Sequence, residues 1–141
     1  MLIVYTDGAC KGNPGPGGWG FVAEYKGQLY KRYGGYEKTT NNRMELTAVI
    51  MAIYNFPDEK LHIISDSKYV IQGITEWIHG WKKRNWKKVK NIELWKELDE
   101  LVGAHGNITW EWVKGHDGNE MNEIADHLAC LGAGEEISFK G

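Results

Sequence analysis

At 141 residues, 42% of them hydrophobic, the chain has the size of one domain and enough apolar material to bury a core without disulfides or a structural metal. A formal net charge of −2 argues against a uniformly basic, polyanion-coating surface. Met1 runs directly into a strand-like segment with no basic or apolar leader, no stretch is long and apolar enough to span a bilayer, and the two cysteines, Cys10 and Cys130, form no C-x-x-C pair. One cytosolic domain over residues 1–141 with reduced thiols is therefore expected.

In chain order, the apolar run Leu2 to Tyr5 predicts a strand covered on both faces and central in a sheet. Gly8 to Gly18 is rich enough in Gly and Pro to predict an irregular loop. A strand over Trp19 to Tyr25 turns at Lys26-Gly27 into another over Gln28 to Tyr33, which reads as a hairpin. Met44, Ala48, Val49, Ala52, Ile53 and Phe56 follow helical spacing, and Pro57 ends that helix. Leu61 to Ser65 predicts a fourth strand. Helix resumes at Ser67 and continues with Ile74, Trp77, Ile78 and Trp81 on one stripe until a basic segment interrupts it. Ile92 to Val102 predicts a helix ended by Gly103, Ile108 to Val113 a strand, and Met121 to Leu131 the last helix. Strands and helices interleave after an opening hairpin, so a mixed α/β sheet is expected.

Four acids fall where different elements meet: Asp7 after the first apolar run, Glu45 at the opening of a helix, Asp66 after the fourth strand and Asp126 in the last helix. Carboxylates gather at a dry spot when a divalent cation holds them together. Each also has a bland reading. Asp7 fits an Asp-Gly turn, yet the carboxyl end of a central strand is where open α/β sheets place ligands. Glu45 fits the third position of a capping box from Asn42, yet it shares the apolar stripe of Ala48, Val49, Ala52 and Ile53, where an acid must be paired, neutral or metal-bound. Asp66 fits an N-cap before Ser67. Asp126 lies off the Met121, Ile124, Leu128 stripe, and periodicity does not prefer it over Glu120 or Glu123. His116, in the glycine-flanked loop Lys114 to Gly118, reads by default as an exposed imidazole.

Charge is unevenly placed. Lys82, Lys83, Arg84, Lys87, Lys88 and Lys90 fall within nine residues, with Trp86 among them and Trp77 and Trp81 before them. That mixture suits a nucleic-acid backbone, with a solvated helix face over core tryptophans as the alternative. The glycine-rich loop lacks both G-x-x-x-x-G-K-[ST] and G-x-G-x-x-G, which excludes a nucleotide cradle there.

Tyr5-Thr6-Asp7-Gly8, Gly12 to Gly18, Thr39-Thr40-Asn41-Asn42-Arg43-Met44-Glu45-Leu46, Ser65-Asp66-Ser67 and Trp112-Val113-Lys114-Gly115-His116 occur in this order, with Trp77-Ile78 and Trp81-Lys82-Lys83 between them. From about Val4 to Ala129 the chain thereby closely resembles bacterial type 1 ribonuclease H. The resemblance implies a ribonuclease H-like α/β fold, a five-stranded mixed sheet flanked by helices with a basic protrusion. It implies a monomeric endonuclease that cleaves the RNA strand of RNA/DNA hybrids with two Mg²⁺ ions, replaceable by Mn²⁺, leaving 3′-hydroxyl and 5′-phosphate ends.

By the same resemblance Asp7, Glu45, Asp66 and Asp126 match the metal-binding acids, with Asp7 bridging both ions, and His116 matches a mobile catalytic histidine. Cys10, Asn13, Thr40, Asn41, Asn42 and Lys68 match positions at the hybrid. Trp77, Trp81, Lys82, Lys83, Arg84, Trp86, Lys87 and Lys88 match the protrusion that grips the DNA strand. Lys68 stands where relatives often have Gln, and Lys38 and Gly80 where Arg and Asn often help hold a DNA phosphate. No membrane and no obligate protein partner are implied. Two other readings remain at this point: a hybrid-binding module without catalysis, and a resolvase- or transposase-like nuclease on the same fold.

Overall fold

The computed structural model describes residues 1–115 and 119–134. Five strands, β1 (Leu2–Cys10), β2 (Gly15–Tyr25), β3 (Gln28–Thr39), β4 (Leu61–Ser65) and β5 (Ile108–Trp112), form one sheet in the order β3-β2-β1-β4-β5. The first three pair antiparallel, whereas β4 lies parallel to both β1 and β5. The helices are α1 (Asn41–Asn55), α2 (Lys68–Gln72), α3 (Ile78–Lys83), α4 (Ile92–His105) and α5 (Glu120–Gly132), with a π-helical turn over Gly73–Trp77 between α2 and α3.

The central position expected for β1 holds, but its double coverage does not at the first turn of the sheet, where Ile3 is exposed. Alternation along the strand explains the layers. Val4 joins the larger core with Phe21, Leu46, Val49, Ile63 and Leu98, while Tyr5 joins a smaller cluster with Val22, Ala125 and Leu128. Neighbouring residues of a strand point to opposite faces, so α1 and α4 lie on one side of the sheet and α5 on the other.

Three expectations from the sequence are corrected. The stretch Gly8 to Gly18 is not a loop throughout: Gly8, Ala9 and Cys10 pair with Trp19, Gly18 and Gly17. Ladder hydrogen bonds override the low strand propensity of glycine, and the missing side chains are used. A Cβ at Gly20 would stand 2.5 Å from Leu128 Cβ, so its absence lets α5 settle onto β2. Gly103 does not end its helix; α4 continues to His105, and Gly106, at φ 73°, takes the left-handed position that closes it. The helix after Ser67 is not continuous, being widened at Gly73–Trp77. The hairpin at Lys26-Gly27 stands as expected, both residues adopting positive φ of 52° and 79°.

Candidate active site

Asp7 lies inside β1, not beyond it. Its partner across the ladder is Gly20, and the Gly8 amide donates to Asp7 Oδ1 at 2.8 Å. Gly8 fixes the distance to the next acid, since a Cβ there would stand 2.4 Å from the Glu45 amide nitrogen. Only a bare backbone allows β1 to touch the first turn of α1 this closely.

Glu45 is not a capping residue. Thr40 caps α1, its hydroxyl accepting from the Arg43 amide at 3.3 Å, so the capping box expected from Asn42 is not formed. Glu45 instead points inward at 5% exposure, and its Oε1 has no hydrogen-bond partner. A buried carboxylate oxygen without a donor is costly unless something else occupies its lone pairs.

Asp66 is likewise released from the cap role. Ser67 caps α2, accepting from the Val70 amide at 3.2 Å, and Asp66 occupies the bend between β4 and α2. Ligand oxygens of Asp7, Glu45 and Asp66 all lie within 4.8 Å of one another, the one such group of His, Cys, Asp or Glu side chains among the described residues. Asp126, half-buried on α5, raises the pKa of both Asp7 and Asp66 through its charge. Glu120 and Glu123 are exposed on that helix, and Asp126 itself lies outside the group of three acids within 4.8 Å of one another.

The electrostatics describe a cluster short of positive charge. Burial, then the charges of Asp66 and Asp126, lift Asp7 to a pKa of about 7 against the lowering effects of the Glu45 carboxyl and the Gly8 amide. Burial and the neighbouring Asp7 push Glu45 well above the usual carboxylate range, and burial raises Asp66. Three converging carboxylates, one of which also carries a buried unpartnered oxygen, fit a hard divalent cation.

The remaining expected residues divide into groups. Asn13 Oδ1 accepts from the Asn41 amide at 2.8 Å, tying the loop after β1 to the start of α1. Cys10 Sγ donates to the Thr39 and Gly15 carbonyls at 3.3 and 3.5 Å, within the same corner. Asn41 and Asn42 are exposed at the N-terminus of α1, and Lys68 is exposed at the start of α2 with its ammonium 4.9 Å from the centre of the Trp112 ring. His116 lies outside the described residues.

The basic segment is not a helix face as a whole. Only Lys82 and Lys83 are helical; residues 84–91 cross in turns, with positive φ at Asn85, Trp86, Lys88 and Asn91. Lys83, Arg84, Lys87 and Lys88 are exposed, while Lys82 pairs with Asp99 at 3.3 Å. Trp81 and Trp86 are partly buried against the core, and Trp81 meets the fully buried Trp95 edge-on at 4.9 Å between centroids. Trp77 is 41% exposed. Aromatic rings thus seat the segment on the domain and leave its cations outside.

Sequence reasoning gave no role to Trp112 or Arg43. The Trp112 indole donates to the Asp66 carbonyl at 2.9 Å, and Arg43 pairs with Glu93 and donates to Asn91 Oδ1 at 3.2 Å. Both contacts join residues more than forty positions apart, which no local pattern reveals.

Comparison with known proteins agrees with this geometry. The RNase H family model matches residues 1–134. Ribonuclease H of Saccharopolyspora erythraea is 55% identical over 139 residues, covering 94% of this chain and 90% of its own. Ribonuclease HI of Pseudomonas aeruginosa is 51% identical over 141 residues, covering 96% and 95%. Among solved structures, LC9-RNase H1, described as a type 1 RNase H with the type 2 active-site motif, superposes with a TM-score of 0.85 at 37% identity, covering 94% of this chain and 72% of that one. With the family model spanning nearly the whole chain and relatives above half identity, the chain belongs to the ribonuclease H family.

Proposed function

We propose that this protein is an endonuclease that hydrolyses the RNA strand of RNA/DNA hybrids, leaving 3′-hydroxyl and 5′-phosphate ends. The observation that carries the reading is the convergence of Asp7, Glu45 and Asp66 from β1, α1 and the β4–α2 bend, with an unpartnered Glu45 oxygen among them. Asp7, Glu45, Asp66 and Asp126 are the residues that would hold two Mg²⁺ ions. Divalent cations there supply activation of the attacking water and stabilisation of the leaving oxygen in an in-line displacement.

The chain's own residues do the rest. Four acids from four elements set where the scissile phosphate lies relative to the attacking water, and proximity of that kind is a large part of phosphoryl-transfer catalysis. Asn13, Asn41, Asn42 and backbone near Cys10 share the corner where the loop after β1 meets the start of α1, and are suited to reading 2′-hydroxyls in the wide minor groove of the hybrid. His116 serves as a proton carrier that eases product departure. The protrusion, with Lys82, Lys83, Arg84, Lys87 and Lys88 around Trp77, Trp81 and Trp86, grips the DNA strand. In this reading residues 1–141 are one ribonuclease H domain, monomeric and acting in the cytoplasm.

A cleavage assay on matched RNA/DNA hybrid, double-stranded RNA and double-stranded DNA, with and without EDTA, tests the reading. Cutting confined to the RNA of the hybrid and abolished by chelation is the expected result. Equal cutting of double-stranded DNA would favour the resolvase-like alternative, and tight hybrid binding without cleavage a binding module.

A further inference from the structure

Asp66 differs from its neighbours in the cluster in how its backbone is held. Asp7 is fixed by its pairing with Gly20 of β2, one residue past the end of the ladder to β4, and Glu45 by the first turns of α1. Asp66 lies in a bend, past the last residue of β4 and before the first of α2. Its carbonyl receives its hydrogen bond from a side chain on the neighbouring edge strand, the Nε1–H of Trp112 at 2.9 Å. Just beyond, the Val113 amide donates to the Ser65 carbonyl at 3.0 Å, which holds the end of β5 against that bend. Gly115 closes the third side, since a Cβ there would come within 2.9 Å of Asp66 Oδ2.

Trp112 is a costly residue to leave on a surface. It is 41% exposed at the end of an edge strand, with its N–H turned inward to Asp66 and one face lying under the Lys68 ammonium. The ring therefore joins two features: the carbonyl of an acid in the cluster and the single cation at the start of α2.

The geometry points to Trp112 as a positioning residue that sets the Asp66 carboxylate for cation binding through its indole N–H, and that holds Lys68, two residues from Asp66, over its ring. This rests on the proposed function and adds how one ligand is held. Ligand oxygens must sit within about 0.2 Å of their ideal distance from a metal, so freeing the backbone of a ligand loosens binding before it loosens the fold.

The test separates the two edges of the indole. Trp112→Phe keeps a ring under Lys68 and deletes the donor. Calorimetric titration of the substrate-free protein with Mn²⁺ should show about 10-fold weaker binding, in the range that outer partners of metal ligands command. At fixed, subsaturating metal, kcat should fall and recover as metal is raised, with KM for the hybrid unchanged. Trp112→Ala should weaken metal binding equally and raise KM as well. In the unaltered protein, the Trp112 indole ¹H–¹⁵N resonance should shift on Mg²⁺ addition, a readout that needs no variant to fold. Unchanged Mn²⁺ affinity in Trp112→Phe, a lowered melting temperature alone, or an indole resonance indifferent to metal would each overturn the inference. If the unaltered protein binds metal and cuts hybrid while Trp112→Phe matches it, only the role of Trp112 fails; if the unaltered protein does not cut hybrid, the proposed function fails with it.

Discussion

The acidic cluster and the basic protrusion oppose each other in every physical respect. The acids are contributed by separate elements distant in sequence, Asp7 and Glu45 at only 5% exposure, and their pKa values are raised because like charges share a dry space. The cations come from one contiguous stretch, lie outside, and rest on a floor of tryptophans through a backbone that repeatedly enters the left-handed region. The proposed chemistry thus falls on the part whose geometry the fold over-determines, and the proposed grip on the part whose geometry is local. Damage to the first should appear in turnover, damage to the second in affinity.

The largest expected effect breaks the first half of that contrast. Asp66→Asn keeps the shape and the main-chain contact to Trp112 while removing one charge, so kcat should fall by more than the roughly 10- to 100-fold cost of altering an outer partner of a metal ligand. Hybrid binding in EDTA should be nearly preserved, because the protrusion is untouched. Steady-state kinetics together with an EDTA binding isotherm check both parts, and a variant with near-normal turnover would remove Asp66 from the metal site.

Neutralising Lys82, Lys83, Arg84, Lys87 and Lys88 together addresses the second half. KM should rise several-fold with kcat nearly unchanged, and the slope of log affinity against log salt should flatten by about 0.9 per lost phosphate contact, the value for duplex DNA. Restoring Lys82 alone sharpens the result. It is already paired with Asp99, so it should return less affinity than restoring any of the others. Unchanged affinity and salt slope in the five-site variant would reduce the segment to charged surface.

How much of each region was legible in the sequence follows from the same contrast. The protrusion is a local feature, so its cations and aromatics were visible as a run, although its turns were not: left-handed conformations at Asn85, Trp86 and Lys88 have no glycine to announce them. The strands at Leu61–Ser65 and Ile108–Trp112 were plain from apolar alternation and flanking breakers. The beginnings of α1 and α2 were misjudged because Asn42 and Asp66 are good capping residues, and only the structure shows Thr40 and Ser67 making those bonds. Asp126 is implied by the family resemblance and not by periodicity. It is half-buried where Glu120 and Glu123 are exposed, a difference set by how α5 packs on β2 over Gly20, which is a tertiary fact.

A smaller effect concerns proton linkage. Asp7 has its pKa raised from 3.8 to about 7, so between those values the folded protein keeps a proton that the unfolded chain has released. Stability from this group is therefore complete below about pH 4 and lost as pH rises through 7. In EDTA the unfolding free energy of the unaltered protein should fall across that window relative to Asp7→Asn, which lacks the titrating group, by on the order of a few kcal/mol at most, since each pKa unit is worth about 1.4 kcal/mol, and the melting temperature should fall with it. Adding Mg²⁺ at neutral pH should reverse the order, because a cation that binds only the folded state stabilises it by about 2.7 kcal/mol at one hundred times its dissociation constant. Parallel melting curves for the two proteins at all pH values would mean that the acids do not share a dry space.

The smallest effect probes the corner between the loop after β1 and the start of α1. Asn13 is exposed, yet its side-chain oxygen is engaged by the Asn41 amide, so one residue both ties the loop to the first turn of α1 and stands where the hybrid is proposed to lie. The two duties separate by chemistry. Asn13→Ala removes the acceptor and should lower stability by about 0.5 to 1.5 kcal/mol, the usual net worth of one hydrogen bond, with a rise in KM from the loosened loop. Asn13→Asp keeps the acceptor and adds a negative charge near the helix N-terminus, where charge is favourable, so stability should match or slightly exceed that of the unaltered protein. The same charge faces a polyanion, so KM should nonetheless rise, and more at low salt than at high salt. Thermal melts and KM measured at two salt concentrations distinguish the cases: if Asn13→Asp leaves KM unchanged at both, Asn13 is a tie in the scaffold and not part of the surface that meets the hybrid.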